Sequence, residues 1–227
     1  MVLRKPFLTR SNSPLELMRA LIPLVLTSIM LLSPMSALAT VQDAVLAGGC
    51  FWCLEHDLED VKGVISAESG YSGGHVENPT YQQVSGEKSG HQEVVRVRFD
   101  SDKISYASLL QHYWRNVDPL DGQGQFCDRG DSYRPVIFTA GEQQATAAQA
   151  SAASAASELG VSKSKIKVQI RDAVQFWPAE DYHQDYANNN DLRYRYYRFS
   201  CGRDRRLDAV WGERARSGTE WLTPEAP

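Results

Sequence analysis

Ala44-Val-Leu-Ala47-Gly48-Gly49-Cys50-Phe51-Trp52-Cys53-Leu54-Glu55 joins two periodicities across a pair of glycines. Ala44 to Ala47 is a short apolar run of the kind that forms a buried strand. Leu54, Leu58 and Val61 then recur at i, i+4 and i+7, a helical spacing. A strand passing through Gly-Gly straight into a helix places Cys50 at the helix N-terminus. Free amide N–H groups and the positive end of the helix dipole favour a thiolate there. Cys50 is therefore expected to be an ionised nucleophile with a lowered pKa, not a small buried hydrophobe.

Downstream, Gly63 stops the helix and Val64 to Tyr71 reads as a second strand. Tyr71-Ser-Gly-Gly-His75 through Asn78-Pro79 is turn chemistry. Val95, Val97 and Phe99 alternate with Arg96 and Arg98, the mark of a half-buried strand. Glu93 shares the parity of the apolar set, so its carboxyl points inward. Burial raises a carboxyl pKa and makes such a group a proton donor near neutral pH. Ser105 to Trp114 is helical, with Leu109, Leu110 and Tyr113 on its apolar face.

From Asp118 to Tyr133 the chain has no period and contains three glycines, a loop long enough to suggest function. Arg134 to Phe138 returns to strand. Thr139 and Glu142 form a capping-box pattern before an Ala/Ser-rich stretch, read as an exposed surface helix that Gly160 ends. Ile166, Val168 and Ile170 give another strand, and Pro178 suits the first position of a helix. From about Ser217 no period is left. The order strand, helix, strand, strand, helix, strand predicts an α+β sandwich with helices packed on a largely antiparallel sheet.

Upstream, Arg4, Lys5, Arg10 and Arg19 form a basic front. Leu21 to Leu32 is an apolar run, and Ala37-Leu38-Ala39 is a small-residue cleavage pattern. Residues 1–39 read as a signal peptide cleaved after Ala39, leaving a single catalytic domain over residues 40–227. The expected location is outside the cytoplasm, in the periplasm, with an uncleaved membrane anchor as the alternative. Removing the leader takes away four basic residues and one acidic residue, moving the formal net charge from −4 to −7. That balance excludes a nucleic-acid binder built on a basic patch.

Cys50, Cys53, Cys127 and Cys201 all lie in the mature part. Export permits disulfides, and the sequence leaves their pairing open. Cys50-Phe-Trp-Cys53 is a C-x-x-C, which raises a thiol–disulfide exchange protein as the rival reading. Leu54 stands where haem attachment requires a histidine, and a structural zinc site lacks its second C-x-x-C. Trp52, off the helical stripe of Phe51, Leu54 and Leu58, is either a pocket wall or packed on a loop.

Gly49-Cys50-Phe51-Trp52, Gly70-Tyr71-Ser-Gly73-Gly74, Asn78-Pro79-Thr80-Tyr81 and Gly90-His91-Gln-Glu93 follow one another within about fifty residues. The ordered set resembles the class A peptide methionine sulfoxide reductases. Asp118-Pro119, Asp128-Arg-Gly130, Tyr133-Arg134 and Ala179-Glu180-Asp-Tyr-His183-Gln184 extend it over roughly residues 43–201.

The resemblance implies a ferredoxin-like plait and reduction of methionine-S-sulfoxide, in proteins or free, without metal or cofactor. Cys50 would attack the sulfoxide sulfur, with Phe51 and Trp52 holding the substrate methyl group. Glu93, Tyr81 and Tyr133 would hydrogen-bond and protonate the oxygen, and Asp128 would position the site. Attack leaves a sulfenic acid, which a second cysteine resolves as a disulfide and a thioredoxin-like dithiol then reduces.

The chain departs from the commonest family pattern at Cys53, at Cys127 and at Tyr196-Tyr-Arg-Phe-Ser-Cys201, which replaces a Gly-rich tail. Cys201 is the expected resolver, carried on a mobile C-terminal segment. Cys127 competes with it, as does Cys53, whose bridge to Cys50 would need local unwinding of the helix. The enzyme is expected to act as a monomer.

Overall fold

The computed structural model describes residues 40–222 and, ahead of them, Val2 alone. The leader and its cleavage point lie outside the described residues. In chain order the elements are β1 (Val41–Ala47), α1 (Phe51–Glu59), β2 (Val64–Ser72), α2 (Tyr81–Ser85), β3 (Gln92–Asp100) and α3 (Tyr106–Trp114). They continue with β4 (Gly124–Gln125), β5 (Asp128–Arg129), β6 (Val136–Thr139), α4 (Glu142–Glu158), β7 (Gln169–Asp172) and β8 (Trp177–Pro178). The helices α5 (Tyr186–Asn189), α6 (Asp191–Cys201) and α7 (Arg203–Trp211) close the fold.

Alternation along β1 and β3 sets the layers. Leu46 pairs with Val95 and Ala44 with Val97 in antiparallel register, so their side chains share one face. That face meets Leu54 and Leu58 of α1, Leu109 and Tyr113 of α3, and Leu207 and Trp211 of α7 in one buried core. On the other face Ala47, Val94, Val136, Phe138 and Phe176 make a smaller cluster, with the Arg96 guanidinium lying 4.3 Å over the Phe176 ring. The strand order is β7-β6-β1-β3-β2-β8, and every pairing is antiparallel except β6–β7. There α4 crosses between the two strands, as a parallel pair requires. The α+β sandwich with a largely antiparallel sheet is thus the observed fold.

Four local expectations need correction. Gly141, at φ 85°, is the N-cap of α4, while Thr139 Oγ1 donates to the Arg171 carbonyl at 3.2 Å, so no capping box forms. Helix α4 is not wholly exposed: Ala148, Ala152, Ala155 and Ala156 are buried, and Ser151 Oγ accepts the Trp114 indole N–H at 2.9 Å. Small side chains let this helix lie close to α3. Pro178 starts no helix. It sits in β8, an edge strand, where a missing N–H costs no ladder bond. The C-terminal segment is not a mobile tail but three helices, α6 and α7 being joined at Gly202 in the left-handed region (φ 70°).

Candidate active site

The glycines before Cys50 are set by close approach. A Cβ on Gly49, at φ 84°, would lie 2.6 Å from Gln125 Cβ, and one on Gly48 would lie 2.8 Å from Val117 Cγ1. Gln125 is fully buried. Its Oε1 accepts the Asp118 N–H at 2.8 Å, and its Nε2 donates to the Asp118 carbonyl at 2.9 Å. The long loop read between Asp118 and Tyr133 is therefore a small β4–β5 hairpin pinned against the start of α1. It delivers Asp128 and Tyr133 to Cys50. Sequence reasoning missed Gln125, whose role depends on that contact.

Cys50, Phe51, Trp52, Tyr81, Glu93, Asp128, Tyr133 and Tyr197 line one pocket of about 80 Å³. A pocket this small takes the end of a side chain, not a whole residue. All seven catalytic and substrate-binding candidates are brought together. Tyr197, which the sequence did not single out, donates from its hydroxyl to Asp128 Oδ2 at 2.7 Å. Only the three-residue step from Tyr194 on α6 hinted at it. Trp52 is a pocket wall: it stacks on Tyr186 at 3.7 Å between ring centroids and donates its indole N–H to His183 Nδ1 at 3.0 Å. The Tyr81 backbone N–H donates to Glu180 Oε1 at 2.9 Å, and the Tyr71 hydroxyl to Glu180 Oε2 at 2.8 Å. The Glu180 motif thus holds α2, and with it the Tyr81 phenol, in place.

The electrostatics revise the expected thiolate. Cys50 is the N-cap of α1, but its sulfur accepts no capping bond, and the Phe51 N–H donates instead to Glu93 Oε2 at 3.0 Å. Burial pushes the Cys50 thiol well up, and its hydrogen bond with Cys53 adds to that. Cys53 is pushed down, chiefly by that bond, with the Arg203 guanidinium also contributing. The resting pair therefore keeps its proton on Cys50 and favours charge on Cys53. Glu93 is pushed up to about 8 by burial, against the pull of the Phe51 N–H. Burial also pushes Tyr81 up to about 12 and raises Tyr133 and Asp128. At neutral pH the Glu93 carboxyl and the Tyr81 and Tyr133 phenols are protonated donors to any oxygen lodged in the pocket.

The four cysteines divide. Cys50 and Cys53 are free and buried, whereas Cys127 and Cys201 form a disulfide with a Cα–Cα distance of 5.0 Å. Cys201, the expected resolver, ends an ordered helix and offers no free thiol in this state. The Cys53 thiol lies within hydrogen-bond reach of Cys50. Cys50 has extended N-cap geometry (φ −51°, ψ 119°) and Cys53 is the third helical residue, with its N–H donating to the Cys50 carbonyl at 3.1 Å.

A buried thiol pair at a helix start, facing a protonated carboxyl and two phenols, defines a thiol-dependent reductase of an oxygen-bearing acceptor. The family model described as peptide methionine sulfoxide reductase matches residues 42–215, and the chain belongs to that family. Peptide methionine sulfoxide reductase MsrA 2 of Caulobacter vibrioides is 50% identical over 198 residues, 86% of this chain and 100% of that protein. The MsrA 2 of Rhizobium meliloti is 49% identical over 193 residues, covering 85% and 94%. Among solved structures, methionine sulfoxide reductase A of Corynebacterium diphtheriae superposes with a TM-score of 0.63 at 29% identity, over 69% of this chain and 78% of that one. Mxr1 of Saccharomyces cerevisiae in reduced form gives 0.63 at 25% identity, over 67% and 87%. The chain is an oxidoreductase that reduces methionine sulfoxide.

Proposed function

We propose that the enzyme reduces the S epimer of methionine sulfoxide in oxidised proteins and as the free amino acid, with Cys50 as nucleophile and Cys53 as resolver. The observation that carries this reading is the buried Cys50 thiol and the Glu93 carboxyl meeting in one small pocket, with Glu93 protonated near neutral pH. The substrate methyl group lies against Phe51 and Trp52, and the sulfoxide oxygen faces Glu93, Tyr81 and Tyr133. As Cys50 sulfur bonds to the sulfoxide sulfur, negative charge builds on oxygen. Donors aimed there stabilise it. The S–O oxygen transfers to Cys50 and leaves methionine and a sulfenic acid, the thiol proton ending on that oxygen. Cys53 sulfur then displaces hydroxide, which departs as water, and a Cys50–Cys53 disulfide remains.

A thioredoxin-like dithiol returns that disulfide to two thiols. The apolar leader read in the sequence supports action outside the cytoplasm, where such a partner must be a local one. Exchange of disulfides alone would leave the cluster of donors around Glu93 without a role. Cys50→Ser should abolish conversion of a methionine-S-sulfoxide peptide by at least about a thousandfold, measured by mass of the peptide product. Retained turnover, or equal turnover of the R epimer by the wild type, would overturn the reading.

A further inference from the structure

The two phenols of the pocket sit on segments far apart in the chain. Tyr81 opens α2, and Tyr133 ends a single 3-10 turn, Asp131–Tyr133, that follows the β4–β5 hairpin through Gly130. The Tyr133 hydroxyl lies within hydrogen-bond reach of the Tyr81 phenol. So short a turn has few bonds of its own. The Tyr133 N–H donates to the Gly130 carbonyl at 3.2 Å, but the amides that start the turn have no partner inside it. Glu87 supplies that partner. Its carboxylate accepts the Asp131 N–H at 2.5 Å, the Ser132 N–H at 3.2 Å and the Ser132 hydroxyl at 2.5 Å. Ser132 is buried, and on the opposite side of the turn Gln92 Nε2 donates to the Asp131 carbonyl at 3.4 Å.

Two backbone conformations bring the carboxylate to this turn. Glu87, just beyond the end of α2, has φ 61°, the left-handed region that a residue with a Cβ adopts only under strain. Gly130, at φ 127°, leaves the room: a Cβ there would lie 2.4 Å from Glu87 Oε1. Glu87 is exposed, so burial does not hold it in that conformation. Strain of this kind persists where surrounding contacts over-determine it, and the contacts here are the three bonds to the turn.

We infer that Glu87 is a positioning residue for the reduction: by capping the Asp131–Tyr133 turn it holds the Tyr133 phenol beside that of Tyr81, so that both donate to the sulfoxide oxygen. The inference rests on the reading above, in which these two phenols are donors. Glu87 does not line the pocket itself. The segment from Tyr81 to Glu87 is tied at its start, where the Tyr81 N–H donates to Glu180, and at its end, where Glu87 grips the turn. One carboxylate thereby sets the spacing of two donors that come from distant parts of the chain. A donor displaced from the developing negative charge weakens the transition state more than the bound substrate, so the loss falls on the rate and not on binding.

The test measures single-turnover reduction of a methionine-S-sulfoxide peptide by the pre-reduced full chain over a range of peptide concentrations, with thermal unfolding alongside. Glycine takes φ 61° freely, so Glu87→Gly removes the three bonds together with the strain. Its maximal rate should fall at least about tenfold. The half-saturating concentration should stay within about twofold of wild type, and Tm within ~4 °C. Glu87→Gln keeps an accepting oxygen for the amides and a donor for the Ser132 hydroxyl, and should recover most of the rate. On a Tyr133→Phe background, itself slowed, Glu87→Gly should add less than about a twofold loss, because the hydroxyl it positions is gone. A Glu87→Gly rate equal to wild type overturns the inference. So does an undiminished further loss on the Tyr133→Phe background, or a rate loss that comes with an equal rise in half-saturation and a larger fall in Tm; either makes Glu87 a general support of the fold. A wild-type enzyme that leaves the peptide unreduced would strike the reductase reading, and with it the donors that Glu87 serves.

Discussion

At the scale of single residues, the decisive feature is how one backbone amide is used. The first N–H of α1 donates to Glu93 and not to the sulfur of Cys50, and both groups are buried. A carboxyl with a pKa near 8 is mostly protonated at pH 7 and loses its donor role tenfold per unit above that value. The expected outcome is an alkaline limb near pH 8 in kcat/KM for a sulfoxide peptide. Glu93→Gln keeps an N–H donor that does not titrate. It should remove that limb while lowering the plateau by about 10²–10⁴-fold, the usual worth of a positioned proton donor. A Glu93→Gln profile that falls through pH 8 just as the wild type does would assign the limb to another group. The inward parity of Glu93 was legible in its two-residue step from Val95. The expected Cys50 thiolate weighed the helix start but not the burial of the sulfur and its hydrogen bond with Cys53, which push the thiol up and are set by contacts that the sequence does not show.

At the scale of elements, the sequence announced those whose residues face one neighbour in a fixed period. Strand β3 alternates apolar and charged residues, β1 and β6 are short apolar runs buried on both faces, and α1 and α3 repeat their apolar face every three to four residues. What stayed hidden depends on contacts between distant segments. Strand β8 is two residues long and exists because the Ala179 N–H donates to the Ser69 carbonyl and Gly70 pairs with Pro178. Gln125, Tyr197 and the Cys127–Cys201 bond likewise join residues far apart in the chain. Gly70 ties β2 to this edge. A Cβ there would lie 2.4 Å from Phe176 Cζ and 2.5 Å from the Trp177 carbonyl oxygen, and backbone cannot yield as a flexible side chain can. Gly70→Ala should therefore push β8 off the sheet, costing about 1–3 kcal/mol. Because Glu180 and His183 follow β8, KM for the peptide should rise along with the loss in Tm. Thermal unfolding and steady-state kinetics on the same variant check this. A drop in Tm with KM unchanged would mean that β8 does not hold the Glu180 segment.

Across the whole molecule, buried carboxyls act in opposite directions on stability. The Glu158 carboxyl resists ionisation by its burial, but hydrogen bonds and charge from Arg115, with Arg214, outweigh this and hold it low. Its contacts with Arg115 Nη2 at 3.0 Å and the Leu222 N–H at 3.1 Å tie the C-terminal segment to α3 and α4. Such a group stabilises the fold above its unfolded pKa, and the contribution is lost as pH falls through its folded value. Glu55 is the reverse. Burial pushes it up to about 7, although it accepts the Ser69 hydroxyl at 2.9 Å. Below its ordinary value near 4.5 both states hold the proton and nothing is lost. Between 4.5 and 7 the unfolded chain releases a proton that the folded chain retains, so stability declines until both are ionised. Glu55→Gln keeps the shape and a hydrogen-bonding group but cannot ionise. Relative to wild type it should be nearly neutral at pH 4 and stabilising at pH 8 by about 1–3 kcal/mol, or ~2–12 °C in Tm for a domain of this size. Glu93 adds to the same alkaline loss in both proteins and so cancels from the difference. Differential scanning calorimetry of wild type and variant at the two pH values decides the matter. A Tm difference independent of pH would show that the Glu55 carboxyl carries no such penalty.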